Sequence, residues 1–510
     1  MVVLKSAKGA MACLGVRLSI LERGCIMRAR ENGIWTRENV LTLAPWDPTL
    51  LYYAKAVAKM MRRPLNDPRS WRYQAAVHGY DRSADPYAAD ADTLPSPAER
   101  RKYWSQCQHF SWFFLPWHRG YLATFEQIVR AEIVALGGPE DWALPYWNYS
   151  DVTNPARARL VRAEFREPRL PDGDENALAG AIRGNGEEEE RESRETGDVG
   201  IDDDDVDLAC LKTEVFDAPV ESGISSFGGP RTGFNHNQGG VLGDLEGTPH
   251  GAIHVAVGGW MGSFETAALD PLFWLHHANI DRLWEVWLKR DKRFENPIRK
   301  AWTVDVAFAM HDAQGRERTF TAGQMIDTTA DGLAYNYEDV TDPVPSTAGL
   351  AQVTMGDPDK QAELVGASEG SVPLGAGPTA GRVVIDARAA ETAALGGASD
   401  QKVYLNLENV VGSDDTVNYR VFVNAPDPAA PDPESYAGLL TTFGLKQASS
   451  SAALHGGSGL TRVIDITDLV SRLRALGRWD DRELVVSFVP KRRAPKAADL
   501  KVGRIGLFYR

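Results

Sequence analysis

The sequence predicts a multidomain α+β protein, with a mainly α-helical core followed by a separate β domain. Three observations carry that reading. Apolar residues recur at helical spacing through residues 35–140 and again from Asp270. A stretch rich in Pro, Gly, Ser and Ala then covers residues 342–380. Beyond it, short runs alternate apolar and polar residues between clusters of turn formers.

Thr49 to Met61 repeats apolar positions every three or four residues, and Pro64 closes the pattern. Trp117 to Leu136 reads as a long amphipathic helix stopped by Gly137, Gly138 and Pro139. Residues 150–245 are Gly-rich, polar and acidic, without periodicity, and read as long loops. A further helix starts at Asp270-Pro271, with Asp as cap and Pro in the first turn, and runs to about Arg290. In the β domain, strands are expected at Val383–Ile385, Val403–Leu407, Val417–Val423, Leu484–Val489 and Ile505–Tyr509. Val417, Tyr419, Val421 and Val423 share one face of their strand. A short helix from Asp468 to Leu476 follows Thr467 and stops at Gly477. These strands suit a small sandwich or barrel. The expected domains are residues 1–341, carrying an acidic loop at 183–207, then a linker at 342–380 and a β domain at 381–510.

Composition narrows the function. The 510 residues are 43% apolar and 25% charged, which is ordinary for a globular chain. No apolar run is long enough to span a membrane. Of the net charge of −14, −10 falls within residues 187–207, where twelve acids meet only Arg191 and Arg194. That run reads as a solvated, self-repelling loop. No basic face exists to displace counterions, so nucleic acid is excluded as a partner. Cys13, Cys25, Cys107 and Cys210 form no CxxC pair, which argues against a zinc ribbon or a disulfide framework. Arg17 and Glu22 interrupt the apolar patch near the start, and no clean cleavage site follows. A cytoplasmic location is therefore expected, with secretion left open.

Ten histidines occur, and eight fall in two zones, 78–118 and 236–277. His250 and His254 stand four apart, so a helix would place both on one face. A zinc protease needs Glu directly after the first of such a pair, and here that residue is Gly251. His276 and His277 follow on the helix from Asp270; adjacent residues point about 100° apart, so one of them readily shares the site. The first zone offers His78, His109 and His118. Two sets of three imidazoles, without carboxylate or thiolate, suit copper, or zinc with an open position. Two such sites close together suit a bridging two-electron ligand such as dioxygen. Trp112, Phe113, Phe114, Trp117, Phe273 and Trp274 surround them in sequence and would keep the site dry.

Four motifs resemble one family. They are Phe114-Leu-Pro-Trp-His-Arg-Gly-Tyr-Leu, Leu144-Pro-Tyr-Trp-Asn-Tyr, Pro249-His-Gly-Ala-Ile-His and Asp270-Pro-Leu-Phe-Trp-Leu-His-His-Ala-Asn-Ile-Asp-Arg-Leu-Trp. In this order they resemble the tyrosinases and polyphenol oxidases, which are type-3 dicopper proteins. Tyr419-Arg-Val-Phe-Val-Asn, Tyr436-Ala-Gly and Gly503-Arg-Ile-Gly-Leu-Phe are similar to the β domain of the plant enzymes. The resemblance implies a four-helix bundle holding two copper ions, with O2 as co-substrate. It implies His78, His109 and His118 at copper A, and His250, His254 and His277 at copper B. His277 is taken over His276 because the family's ligand falls seven residues after the Asp. Cys107 matches the cysteine that forms a thioether with the histidine two residues on, here His109.

Glu246 matches a glutamate that holds a water near copper B and helps deprotonate a phenol. Phe264 matches a bulky residue over copper A, and Val255 would line the entry. Asp281 and Arg282 match a pair suited to hydrogen bonding behind the ligands. Gly251 departs from the Asn that efficient phenol hydroxylases carry there. The activity implied is ortho-hydroxylation of monophenols and oxidation of o-diphenols to o-quinones, with the ring stacked on His254. Alternatives are a catechol or o-aminophenol oxidase without the hydroxylation, or an oxygen carrier resembling haemocyanin. The partners implied are small phenols, with a copper chaperone and self-association left open. The β domain would cover the site and keep the enzyme latent, with the linker as the cleavable segment.

Overall fold

Two apolar cores organise the chain, one inside a helical region and one inside a β-sheet. The computed structural model describes residues 33–236, 239–344, 359–389, 401–450, 457–492 and 499–510. Cys13, Cys25 and the apolar patch near the start lie outside them.

The helical region contains α1 (Pro48–Met61), α2 (Trp71–His78), α3 (Phe114–Ala135), α4 (Glu187–Glu195), α5 (Ala252–Val257) and α6 (Pro271–Arg290), with shorter turns between them. Asp270 caps α6 as expected, accepting from Leu272 N at 2.8 Å. α3 starts three residues earlier than the pattern suggested, so His118 lies one turn inside it. Its stop is as read: Gly137 takes φ +74°, and Gly138 N bonds Ile133 O at 2.9 Å. Trp71, Trp117, Trp274, Trp284 and Trp287 fill the core between the helices. Strand Trp35–Arg37 pairs in parallel with Tyr335–Tyr337, tying the two ends of this region together.

A charged network braces the bundle. Asp281 on α6 accepts from Arg119 on α3 at 2.5 Å, from Arg37 at 3.2 Å and from Tyr335 at 2.6 Å. All four side chains are buried, and each charge has a partner, which is what burial of charge requires. Arg119 and Asp281 follow His118 and His277 by one and four residues, so the pair locks together the helices that carry those histidines. Arg282 donates to Asp339 O at 2.5 Å.

The expected sandwich or barrel takes the form of one curled nine-stranded sheet. In chain order its strands are β1 (Gly240–Val241), β2 (Glu363–Ser368), β3 (Thr379–Ile385), β4 (Val403–Val410), β5 (Tyr419–Val423), β6 (Tyr436–Leu440), β7 (Leu460–Asp465), β8 (Glu483–Pro490) and β9 (Arg504–Tyr509). In space they run β6-β5-β8-β3-β2-β9-β4-β7-β1. Every pairing is antiparallel except β7 with β1. Two points correct the sequence reading. β2 falls where a linker was expected over 342–380, and β3, expected at Val383–Ile385, begins at Thr379, so the β domain takes in at least residues 363–380. β1 comes from the helical region, so the sheet is shared between the two parts of the chain.

The acidic run is also not a solvated loop. Glu187–Glu195 is helical, with four carboxylates in the first turn, where the helix dipole favours them. The following aspartates meet cations of the β domain. Lys491 pairs with Asp205 at 2.5 Å and also with Asp202, and Arg420 pairs with Asp202 and Asp204. Arg492 reaches Glu189 at 2.7 Å. Repulsion within the run is thus offset by charges from far along the sequence. Lys491 is 6% exposed and Asp205 1%. Replacing Lys491 with Met should leave the Asp205 carboxylate buried without its cation. The expected cost is about 3 kcal/mol, read as a lower denaturant midpoint and faster proteolysis of the β domain.

Candidate metal centre

Each candidate histidine is delivered by its own local device. Ser70 caps α2, accepting from Tyr73 N at 3.0 Å, and His78 is the last residue of that helix. Gly79 follows because a Cβ there would stand 2.5 Å from Phe264 O. That carbonyl is needed close by, since it accepts from His78 Nδ1 at 3.0 Å. His109 lies in the loop before α3, His118 in α3, His250 in the turn before α5, His254 in α5, and His276 and His277 in α6.

The Nδ1 atoms of five rings are anchored. His118 bonds Phe114 O at 2.8 Å, His250 bonds Glu246 O at 3.1 Å and His254 bonds Met261 O at 2.7 Å. His109 Nδ1 instead meets the Glu246 carboxylate at 3.0 Å. The Nε2 atoms of His78, His109, His118, His250, His254 and His277 are buried without any hydrogen-bond partner. An unpaired buried polar nitrogen costs about 1–3 kcal/mol, so six in one place call for a common partner. Burial pushes all of these rings far toward the neutral form, His118 and His254 to about 3. Neutral imidazoles with Nδ1–H anchored and Nε2 bare are what a metal ion needs. The donor set therefore fits copper.

The rings form one cup. His78, His109 and His118 lie 5.3–5.8 Å apart, centre to centre. His277 sits 4.4 Å from His118, 5.0 Å from His250 and 5.6 Å from His254. His276 keeps to the other side, 4.8 Å from His254 and facing Tyr149 at 5.7 Å. Both rings of the pair have bare nitrogens, and both group with His250 and His254; only His277 also groups with His78 and His118.

Glu246 is fully enclosed, and burial lifts its carboxyl to about 8 even though Phe110 N donates to it at 2.9 Å. Phe264 leans over His109, with ring centres 4.5 Å apart. Val255 is buried in a small cluster with Phe264 and Phe443. Gly251 faces Thr441 of the β domain, whose hydroxyl would lie 3.0 Å from a Cβ there. Cys107 is a buried thiol grouped with His78 and His109.

Two residues were not singled out from the sequence. His236 places Nδ1 3.3 Å from Cys107 Sγ. Phe443, on the turn after β6, lies flat on His254 with centres 4.0 Å apart and planes 8° apart. It also meets Phe264 edge-on at 4.5 Å. Nothing in the run Thr441-Thr442-Phe443-Gly444 marks it locally; only the tertiary fold brings it to the histidines.

Residues 68–290 match the profile of the common central domain of tyrosinase, and residues 361–510 match a domain of unknown function, DUF7868. The tyrosinase HcTyr1 of Hahella sp. (strain CCB-MM4) is 36% identical over 486 residues, covering 92% of this chain and 98% of that protein. A chloroplastic polyphenol oxidase of Malus domestica is 27% identical over 488 residues, covering 88% of this chain and 74% of that protein. The structure of latent apple tyrosinase superposes with a TM-score of 0.60 over 93% of this chain and 97% of that one; at 23% identity it speaks for the fold alone.

A helical bundle enclosing two sets of bare, neutral imidazoles, in a chain so related, is that of a dinuclear copper oxidoreductase. Its substrates are small phenols. The chain belongs to the tyrosinase family and is a phenol oxidase.

The comparisons overturn one expectation. A cytoplasmic location does not stand, because the plant relatives are chloroplastic and residues 1–32, where an address would be sought, lie outside the described residues. Among the described residues no helix is long and apolar enough to cross a membrane.

The cup predicts a stoichiometry. Replacing His118 with Ala should leave about one tightly held copper per chain where the parent holds a pair, read by elemental analysis after dialysis against a mild chelator.

Proposed function

We propose that the chain ortho-hydroxylates monophenols and oxidises o-diphenols to o-quinones, with the diphenol reaction the faster. The observation that carries this reading is the six bare Nε2 atoms converging in one dry cup. His78, His109 and His118 would hold copper A, and His250, His254 and His277 copper B. His277 is favoured over His276 because its ring alone of the two lies near His118 and His78. When bound, the copper pair supplies the redox chemistry, moving electrons from phenol to dioxygen. Two o-diphenols and one O2 give two o-quinones and two waters.

The protein's own groups bind, orient and dry the substrate. Phe264 and Val255 form apolar walls at the mouth of the cup. Among the described residues, Glu246 is the carboxylate that lines the cup beside His109 and His250, and as its anion it would take the phenol proton. It is also engaged by His109 Nδ1 and Phe110 N, and Gly251 offers no side-chain amide to hold a water beside it. That pairing supports a slower monophenol reaction. Cys107 is read as the partner of His109 in a thioether, which would fix that ring; a peptide carrying both from the active enzyme should be lighter by two hydrogens.

The β domain is read as an inhibitory cover. Phe443 lies on His254 as a phenol ring is expected to lie, and it leaves no room for a water molecule. A substrate binds only in the fraction of molecules whose Phe443 is displaced, which lowers its apparent affinity by that fraction. Phe443→Ala should therefore raise kcat/KM for a catechol on the order of tenfold or more, chiefly through KM.

The deciding experiment is oxygen uptake by the copper-loaded full chain, with a simple monophenol and a catechol in parallel. Uptake with quinone colour on both, faster on the catechol, is the expected result. Uptake on catechol alone would make it a catechol oxidase. Reversible oxygen binding without quinone, in both the parent and Phe443→Ala, would sink the enzyme reading in favour of a carrier.

A further inference from the structure

The contact between the β domain and the helical region does not stop at the mouth of the cup. It passes beneath the segment that carries His250. β1 immediately precedes that segment and is hydrogen-bonded into the sheet, with Gly240 N to Gly459 O at 3.1 Å and Leu242 N to Thr461 O at 2.9 Å. Leu242 belongs to the apolar core of the β domain, and so does Phe110, the residue after His109.

Arg462, on β7, is the polar centre of this contact. It is 8% exposed. Its guanidinium donates to Asp244 Oδ1 at 2.7 Å, and Thr213 Oγ1 donates to Asp244 Oδ2 at 2.6 Å. The same guanidinium lies against the backbone of Gly247, where an added Cβ would stand 3.2 Å from Arg462 Cζ. Asp244 and Gly247 flank Glu246, whose carbonyl accepts from His250 Nδ1 and whose carboxylate accepts from His109 Nδ1. A cation from the β domain thus lies against the chain on both sides of the backbone carbonyl that orients His250.

We propose that Arg462 is a positioning residue for the copper B histidines, so that the domain covering the site also builds it. The proposal rests on the reading of His250, His254 and His277 as copper B. It sets a limit on how the site opens. Departure of the whole domain would withdraw Arg462 from Asp244 and β7 from β1, and copper B would loosen. Access must instead come from the turn that carries Phe443, while β7 stays in place.

The test counts copper in full-length holoenzyme during dialysis against a mild chelator, with the cupric EPR signal and the thermal midpoint followed alongside. Arg462→Met should raise the rate of loss of one copper about tenfold or more, as removal of a ligand's supporting partner does elsewhere. Asp244→Asn should do the same, and the double variant should be little worse than either single one. Arg462→Lys, which keeps the charge and loses the planar fork, should fall between and serves if the Met variant does not fold. Site identity is read in single-copper backgrounds. Added to His118→Ala, which retains copper B, Arg462→Met should strip the remaining copper; added to His254→Ala, which retains copper A, it should not. Retention of both coppers at the parental rate in Arg462→Met would overturn the proposal, as would equal loss from the two backgrounds. If His254→Ala by itself kept both coppers, the ligand assignment would fall instead.

Discussion

The structure depends on keeping six lone pairs bare in a space without water. An imidazole nitrogen seeks a hydrogen bond, and for five of the six rings, His277 apart, the fold denies one to Nε2 by fixing the ring from its other side. Backbone carbonyls serve for His78, His118, His250 and His254. His109 is the exception, since it precedes a residue at φ +53° in a loop, and the Glu246 carboxylate, from the turn that carries His250, reaches across to it. Glu246 therefore belongs to both halves of the centre. The aromatic packing and the Arg119–Asp281 pair behind the bundle hold together the helices that carry His118 and His277.

The same need for dryness links the two domains. A cup open to solvent would hydrate its nitrogens, and here an aromatic ring closes it. Phe443 satisfies His254 by stacking without offering it a hydrogen bond, so it fills the space yet leaves the nitrogen available. Gly251 fits this arrangement, because the wall beside it is Thr441 of the covering domain. The residue that departs from the phenol-hydroxylating pattern is thus also one that the cover approaches closely.

Much of the site was legible because metal chemistry restricts residue type and spacing. The i, i+4 pair His250 and His254, and the Asp270-Pro271 start seven residues before His277, are consequences of helix geometry that a sequence displays directly. Five strands of the sheet, β3, β4, β5, β8 and β9, were legible from period-two alternation, to within a few residues, whereas β6 and β7 were not read as strands. The missed features are those set by distant partners. The acidic run looked like a loop because like charges repel locally, while its cations, Arg420, Lys491 and Arg492, come from the far domain. β1 is two residues long and has no pattern of its own; it is a strand only because β7 offers an edge. The stretch 363–380 was taken for linker on its Gly and Pro content, though those residues sit at turns and edges of two strands.

The order of the sheet also bears on how the protein comes into being. β9 is inserted between β2 and β4, and β1 is appended at the far edge beyond β7. The helical bundle can collapse as soon as it is synthesised, since its contacts are mostly among its own residues. The segment before His250 cannot take its final path until strands made much later have assembled, and such long-range pairing is slow. Phe443 precedes β7 in the chain, so the stopper of the cup has been synthesised before the strand that receives β1.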